Sequence, residues 1–335
     1  MNLKPIRDQV AYFTENRQDK EGNYGSYRSF PGKRPDLYSS CDMALIRTII
    51  QEDFSNSLSQ QQRHDWIDHI NSFVTRDGSY TDTFNHSKLH ANGMVIGALG
   101  PLGGRQPLPV GLYKDFDTVD KVVPWLERAV DWERQWGGSH LFWGGMHCFS
   151  ESSQCTPEWL DAVFHWLDEN LDENTGWWRK GVPHSDRHQP LGGSVHIVPI
   201  YEHNNRPFPY PERVIDSVLA MQLPSGRWHD SNAVNIMGYL ELDALYELKV
   251  MQRWAPNYRK DEIIKAVRFY GEQCARFWKE HGHTLNDGHP HWLLAAIGTW
   301  GLLQQHLPDE YPDEVNWSDI FSDPKFYQTK EVETV

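Results

Sequence analysis

Cysteine is scarce in this chain: the four present, Cys41, Cys148, Cys155 and Cys274, form no C-x-x-C pair. The opening segment, MNLKPIRDQVAYFTENR, lacks the apolar centre of a signal peptide. The four thiols therefore read as free and mostly buried groups of a cytoplasmic protein, not as a disulfide framework. No apolar run approaches the length of a membrane span. Lysine and arginine are outnumbered, 32 against 46 acidic residues for a formal charge of −14, and they form no cluster. A nucleic-acid partner needs a basic face, so that class is excluded. Neither G-x-G-x-x-G nor G-x-x-x-x-G-K-[ST] occurs, and GPLGGRQPLP is a glycine-proline loop with no strand before it. There is no G-x-S-x-G elbow for serine hydrolysis. No long alternating run of β-branched residues competes for a sheet.

What the chain does have is 15 tryptophans and 17 histidines in 335 residues, enough length for a large core. Singly, a tryptophan fills core; at this density the residues also suit an aromatic-lined concavity. Helical periodicity with a charged face recurs at about 5–16, 60–75, 118–135, 157–170, 211–222 and 261–280. Thr156-Pro157-Glu158 and Tyr210-Pro211-Glu212 supply clear helix starts. A turn rich in glycine and aromatics follows each helix: EGNYGSY, RDGSYTD, QWGGSHLFW, NTGWWRKG, PSGRWHD and EHGHTLNDGH, with landmarks Gly22, Gly78, Gly137, Gly176, Gly226 and Gly282. A second, less charged run comes after each turn: SSCDMALIRTII, LHANGMVIGALG, WGGMHCFSES, GGSVHIVPIYEH, NIMGYLELDALYEL and HPHWLLAAIGTWGLL. The third and sixth units match least well.

Six helix–turn–helix units with a charged outer and an apolar inner member predict two concentric layers, an all-α toroid of the (α/α)6 type over residues 1–310. Residues 311–335 read as an extension that packs first and then frays into disorder. The first turns of the inner runs carry polar groups at one register: Asp42, His90 and Asn92, His147, His196, Tyr239 and Glu241, and His289 and His291. If the inner helices run parallel, these groups share one rim, where helix N-termini also favour anions. Asp42 and Asn92 would each serve equally well as helix caps. Tryptophans flank the rim at Trp143, Trp177, Trp178, Trp228 and Trp292. An aromatic plane beside hydrogen-bonding groups suits a sugar ring, whereas Tyr24 and Tyr80 read as mechanical pins between helices.

The repeat of turn glycine, aromatic residue and apolar inner helix resembles the α/α toroids of prenyltransferase and squalene-cyclase repeats. It is also similar to carbohydrate-active toroids: polysaccharide lyases, unsaturated glucuronyl hydrolases and an ulvan-oligosaccharide dehydratase. The resemblance spans about residues 5–305 as architecture, and architecture does not fix chemistry. The terpenoid branch implies Asp-x-Asp-Asp or Asp-Asp-x-x-Asp, and neither is present; YLELDAL is the nearest acidic cluster. The zinc set of protein prenyltransferases is missing its Asp-x-Cys pairing.

The uronate lyases fit the rim better. They remove the proton α to a carboxylate and expel the group at C4, which needs a base, an acid and donors that hold the carboxylate. That resemblance implies His196 as base and Tyr239 as acid, with His147 able to exchange roles with His196. Asn92, His90 and Arg206 would hold the carboxylate. Glycoside hydrolysis through Asp42 with Glu241 or Asp243 is the first alternative, and hydration of an unsaturated sugar from a single aspartate is a variant of it. A terpenoid cyclase with a non-standard acid and a binding toroid without chemistry are the remaining readings. His281, His283, Asp287, His289 and His291 lie close in sequence, but H-x-H without H-E-x-x-H or C-x-x-C does not make a metal site, so neither metal nor other cofactor is expected. The expected partner is a small, acidic carbohydrate.

Overall fold

The computed structural model describes residues 1–81, 83–229, 236–282 and 288–327, and among these the regular structure is helical, with three isolated β-bridges. The chain begins with α1 (Lys4–Arg17), α2 (Leu37–Ile49), α3 (Phe54–Ser57), α4 (Gln60–Asn71) and α5 (Lys88–Leu102). Next come α6 (Val119–Arg128), α7 (Gln135–Gly138), α8 (His140–Phe142), a π-turn at Trp143–His147 and α9 (Cys148–Ser150). The remainder is α10 (Pro157–Glu169), α11 (Gln189–Ser194), α12 (Val198–His203), α13 (Pro211–Met221), α14 (Tyr239–Trp254), α15 (Lys260–His281) and α16 (Pro290–His306).

Local chemistry sets the starts. Ser59 and Gln62 form a reciprocal capping box on α4, Thr156 caps α10 ahead of Pro157, and Asp36, Ser87 and His289 cap α2, α5 and α16. Two kinds of helix result. On α15 the buried residues Ile263, Val267, Tyr270 and Cys274 recur every three or four positions, the mark of a helix with one wet face. On α2 all 13 residues from Leu37 to Ile49 are buried. Charged-faced α1, α4, α13 and α15 each pack on an apolar successor, namely α2, α5, α14 and α16. Among the apolar elements, α2 packs on α5, α5 on the π-turn, α7 on α11, α11 on α14, α14 on α16, and α16 on α2, so the order of neighbours returns to its start.

Two inner elements are broken. The third expected turn, 135–143, is itself helical, with Gly137 and Gly138 in α7 and His140–Phe142 in α8, and the third inner run that follows is divided between the π-turn and α9. Close approach explains Gly144 of the π-turn, where a Cβ would stand 1.7 Å from the Leu89 carbonyl oxygen of α5. In the fourth run, Pro199 has no N–H for the Val195 carbonyl, so the helix stops at Ser194 and restarts at Val198. His196 sits in that gap.

The glycines that take left-handed backbone in the turns are Gly25, Gly78, Gly176 and Gly226, with φ between +74° and +86°; Gly22, Gly137 and Gly282 do not. Two residues after each comes a fully buried ring: Tyr27, Tyr80, Trp178 and Trp228. These rings join turn to helix. Tyr80 Oη donates to Asn71 Oδ1 (2.8 Å), Trp178 Nε1 to the Leu167 carbonyl (2.9 Å) and Trp228 Nε1 to the Val218 carbonyl (2.8 Å).

The segment after residue 310 is not a loose appendage. Tyr311, Trp317, Phe321, Phe326 and Tyr327 are buried, Lys249 Nζ meets Asp319 Oδ2 at 2.7 Å, and the 3₁₀ turn Pro324–Tyr327 packs on α5. Residues 328–335, where fraying is expected, lie outside the described residues. No helix among the described residues is long and apolar enough to cross a membrane, and all four cysteines are free, with Cys155 half-buried and the others buried.

The turn geometry predicts the effect of Gly176→Ala. At φ +77° its Cβ would lie 2.7 Å from Val214 Cγ2 and 2.9 Å from Val214 N, whereas a Cβ on Gly181, at φ +78°, meets nothing within 4 Å. Thermal unfolding should show a loss of about 1–3 kcal/mol for Gly176→Ala and a smaller loss for Gly181→Ala, which carries backbone strain alone. Equal losses would show that packing at Gly176 contributes nothing.

Candidate functional site: a histidine-walled chamber

Starts of the apolar elements converge on one chamber of about 240 Å³. Its polar wall consists of His86 and His90 at the start of α5, His140 opening α8, His196 between α11 and α12, Tyr239 opening α14 and His291 in the first turn of α16. Deeper in, the wall becomes apolar: Leu45, Met94 and Leu294 lie one or two turns down their helices, and Ile320, Phe321 and Phe326 of the C-terminal segment form the floor. Asp243 faces the same space, as do Trp136, Trp143 and the exposed Trp292.

Partners fix the imidazoles. His291 Nδ1 is 2.9 Å from Asp42 Oδ1, and both residues are buried. An ionised Asp42 only accepts, so Nδ1 carries the proton and Nε2 the lone pair. Ser139 Oγ donates to the Gly193 carbonyl at 3.0 Å, so in its 2.9 Å contact with His196 the imidazole Nδ1–H is the donor. The lone pair of His196 is again left on Nε2. His90 Nδ1 meets Tyr38 Oη at 2.8 Å. Tight glycine packing holds this array: a Cβ on Gly193 would be 2.2 Å from Gln135 Cγ, and one on Gly192 2.6 Å from the Trp136 ring.

Burial, and then the proximity of neighbouring imidazoles, holds His90 and His140 neutral, and the same two causes lower His196 to about 3. Burial raises Asp42, with the opposing pull of His291 too weak to reverse it. Asp243 is pushed well above its ordinary value, first by burial and then by Glu247 and Glu241 on the same helix. Glu247, fully buried with one hydrogen bond from Ser194 Oγ (2.6 Å), is raised from 4.5 to about 8.

Of the residues expected at the rim, His90, His196, Tyr239, His291 and Trp143 line the chamber, and Asp42 stands behind His291. His289 caps α16 at the chamber's edge, with its ring against Phe84. Tyr239 is there, but its hydroxyl donates to the His291 carbonyl at 2.7 Å, and burial pushes its pKa up; it holds backbone in place and is badly suited to act as an acid. The others fall elsewhere. His147 is fully buried against His203 (Nε2 to Nδ1, 3.2 Å) and Tyr327, so it cannot exchange roles with His196. The Asn92 amide is consumed by Tyr113, the Gly144 carbonyl and Gln106. Arg206 pairs with Asp168 and lies over Phe164, and Glu241 accepts from Arg227. Trp178 and Trp228 are the turn pins already described.

Two chamber groups, His86 and His140, and Tyr38 behind His90 carried no expectation of a role. The i, i+4 spacing of His86 and His90 in HSKLH was the available signal for one of them, whereas His140 joins the wall only because α8 is a separate piece of helix. Ligand atoms of His86, His90 and His140 lie within 4.8 Å of one another, and so do those of His147, Glu151 and His203. In the earlier histidine tract, His283 and Asp287 lie outside the described residues, while His281 is exposed beside Glu280. Compared with family models, curated proteins and solved structures, the chain finds no match in any of the three.

Glu247→Gln tests the electrostatics of the wall. A carboxyl raised on folding favours the folded state fully below its unfolded value near 4.5 and loses that contribution as pH climbs toward about 8. Glutamine keeps an acceptor for Ser194 without the ionisation. Denaturant melts should show the variant gaining on the parent by a few kcal/mol between about pH 5 and pH 8, with little difference at the acid end. A pH-independent difference would contradict the buried-carboxyl account.

Proposed function

We propose that the chain is an (α/α)6-type toroid enzyme that performs elimination on an acidic, uronate-containing carbohydrate inside this chamber. The observation that carries the reading is the Asp42–His291 pair, a buried carboxylate holding an imidazole that faces an aromatic-walled cavity. The closed order of helix neighbours supports the toroid. In the proposed reaction, His291 Nε2 removes the proton α to the carboxylate, with Asp42 stabilising the imidazolium that forms. His196 Nε2 offers a second lone pair, weakened by burial and by His86. Asp243, whose surroundings favour the protonated form, gives its proton to the departing oxygen at C4, in the place first assigned to Tyr239. Trp292, 58% exposed at the mouth, offers a flat face to a sugar ring.

Paired carboxylates for hydrolysis find less support, because Asp42 is engaged with His291 and Glu241 with Arg227. A terpenoid carbocation would meet neutral imidazoles able to deprotonate it, although the apolar floor would accommodate a hydrocarbon. Asp243 does favour a second reading, hydration of an unsaturated sugar begun by one protonated carboxyl. The two differ in the sign of one signal.

Acidic oligosaccharides, saturated and unsaturated, should be screened for far-ultraviolet absorbance: elimination creates a conjugated double bond and raises it, and hydration lowers it. Reducing ends released from saturated substrates with no absorbance change would sink both. On an active substrate, His291→Ala is expected to lower kcat by about 10²–10⁴-fold, and Asp42→Asn by less. Asp243→Asn should abolish turnover while raising stability at neutral pH, because it removes one of three crowded carboxyls on α14. Full activity in His291→Ala would remove that residue from the chemistry.

A further inference from the structure

We propose that His86, His90 and His140 form a binding site for one divalent transition-metal ion, with a coordination position open to the chamber. Their ring centroids lie 4.4, 4.7 and 4.7 Å apart, an almost equilateral triangle. Three imidazoles around a zinc-sized ion, each nitrogen about 2.0–2.1 Å from it, form a triangle of rings of this kind with centroids roughly 5 Å apart, so a small opening of the observed triangle admits the ion. Two separate pieces of backbone supply it: His86 and His90 flank the Ser87 cap of α5, and His140 opens α8.

Outer contacts suit ligation. Tyr38 Oη occupies His90 Nδ1, and its ring is parallel to the imidazole within 3°, which leaves Nε2 as the nitrogen free to ligate. A hydrogen bond on the far nitrogen is the usual way a metal-bound histidine is oriented. Trp143 packs against His90 from the π-turn, with its indole held by Tyr327 Oη at 3.0 Å. On the remaining side the triangle faces the chamber, so three protein ligands would leave a position for water or substrate. An all-imidazole set selects zinc, cobalt, nickel or copper over magnesium or calcium, which take oxygen.

The ion would meet a need that the amino acids leave open. Among the described residues, the chamber wall includes no arginine or lysine. Asn92 and Arg206, expected to hold a substrate carboxylate, are engaged elsewhere. A dication at the triangle would take the carboxylate of a sugar acid and withdraw charge from its α-carbon. This role rests on the elimination reading; the site itself does not.

The test uses the full chain stripped with a chelator and titrated with Zn²⁺ by calorimetry, and with Co²⁺ by visible absorption, in the absence of any sugar. The expectation is one equivalent whose affinity falls by about 100-fold or more in His86→Ala and in His140→Ala. His86 is only half-buried, so its alanine variant should fold, which an unchanged circular dichroism spectrum would verify. His203→Ala, which dismantles the His147–Glu151–His203 cluster, should leave this equivalent in place. No saturable binding overturns the proposal, and so does an equivalent that survives His86→Ala and His140→Ala but disappears in His203→Ala. A loaded protein inactive on every acidic sugar would defeat the elimination reading and leave the site standing. Turnover in a chain that binds no metal would do the reverse.

Discussion

The hydrogen bond between Asp42 and His291 joins the first apolar helix to the last across 249 residues of chain, and the site is organised around it. Both partners are buried, so neither can be satisfied by bulk water. Separating them would leave a carboxylate and an imidazole stranded, and breaking a buried pair of this kind costs about 3–5 kcal/mol. The contact therefore fixes how α16 lies against α2, and with it the height of His291 on the chamber wall. Asp42 Oδ2 has no protein partner and remains buried, so the pair is held at one oxygen only. That is a poor arrangement for stability alone and a usable one for a proton carrier.

The same trade recurs on α14. Glu241, Asp243 and Glu247 lie on one helix within two turns and all are buried. Arg227 answers Glu241 and Ser194 answers Glu247, whereas Asp243 has a buried oxygen with no partner. Burial first, and then the crowding of the three carboxyls, makes the ionised form of the group nearest the chamber costly. A carboxyl disfavoured as an anion thus stands with imidazoles around one small space, the kind of pairing that acid–base chemistry can use.

Much of the architecture was legible in the chain. The outer helices follow from capping residues and three-to-four periodicity, both of which act within a turn or two; α10 and α13 begin at Pro157 and Pro211 as read. The broken elements were harder. Gly137 and Gly138 look like a turn in isolation, yet they are part of α7, whose Gln135 and Trp136 side chains pack against Gly193 and Gly192 of α11. The site was half legible. His90, His196 and His291 were visible from their register at helix starts. Asn92 and His147 share that register but are taken up by neighbours from distant parts of the chain, which no local pattern encodes.

By itself the sequence determined the helical class, the alternation of charged and apolar helices, the free thiols and the presence of imidazoles near helix starts, because these depend on periodicity, capping and composition. Tertiary structure alone decided which polar side chains face an open space and which are locked into backbone contacts. It also decided that Trp178 and Trp228 are internal pins, that residues 311–327 floor the chamber, and that His86 and His140 stand beside His90. The physical reason is the same in each case: a buried donor or acceptor must find its partner wherever packing brings one, and that partner is often more than fifty residues away.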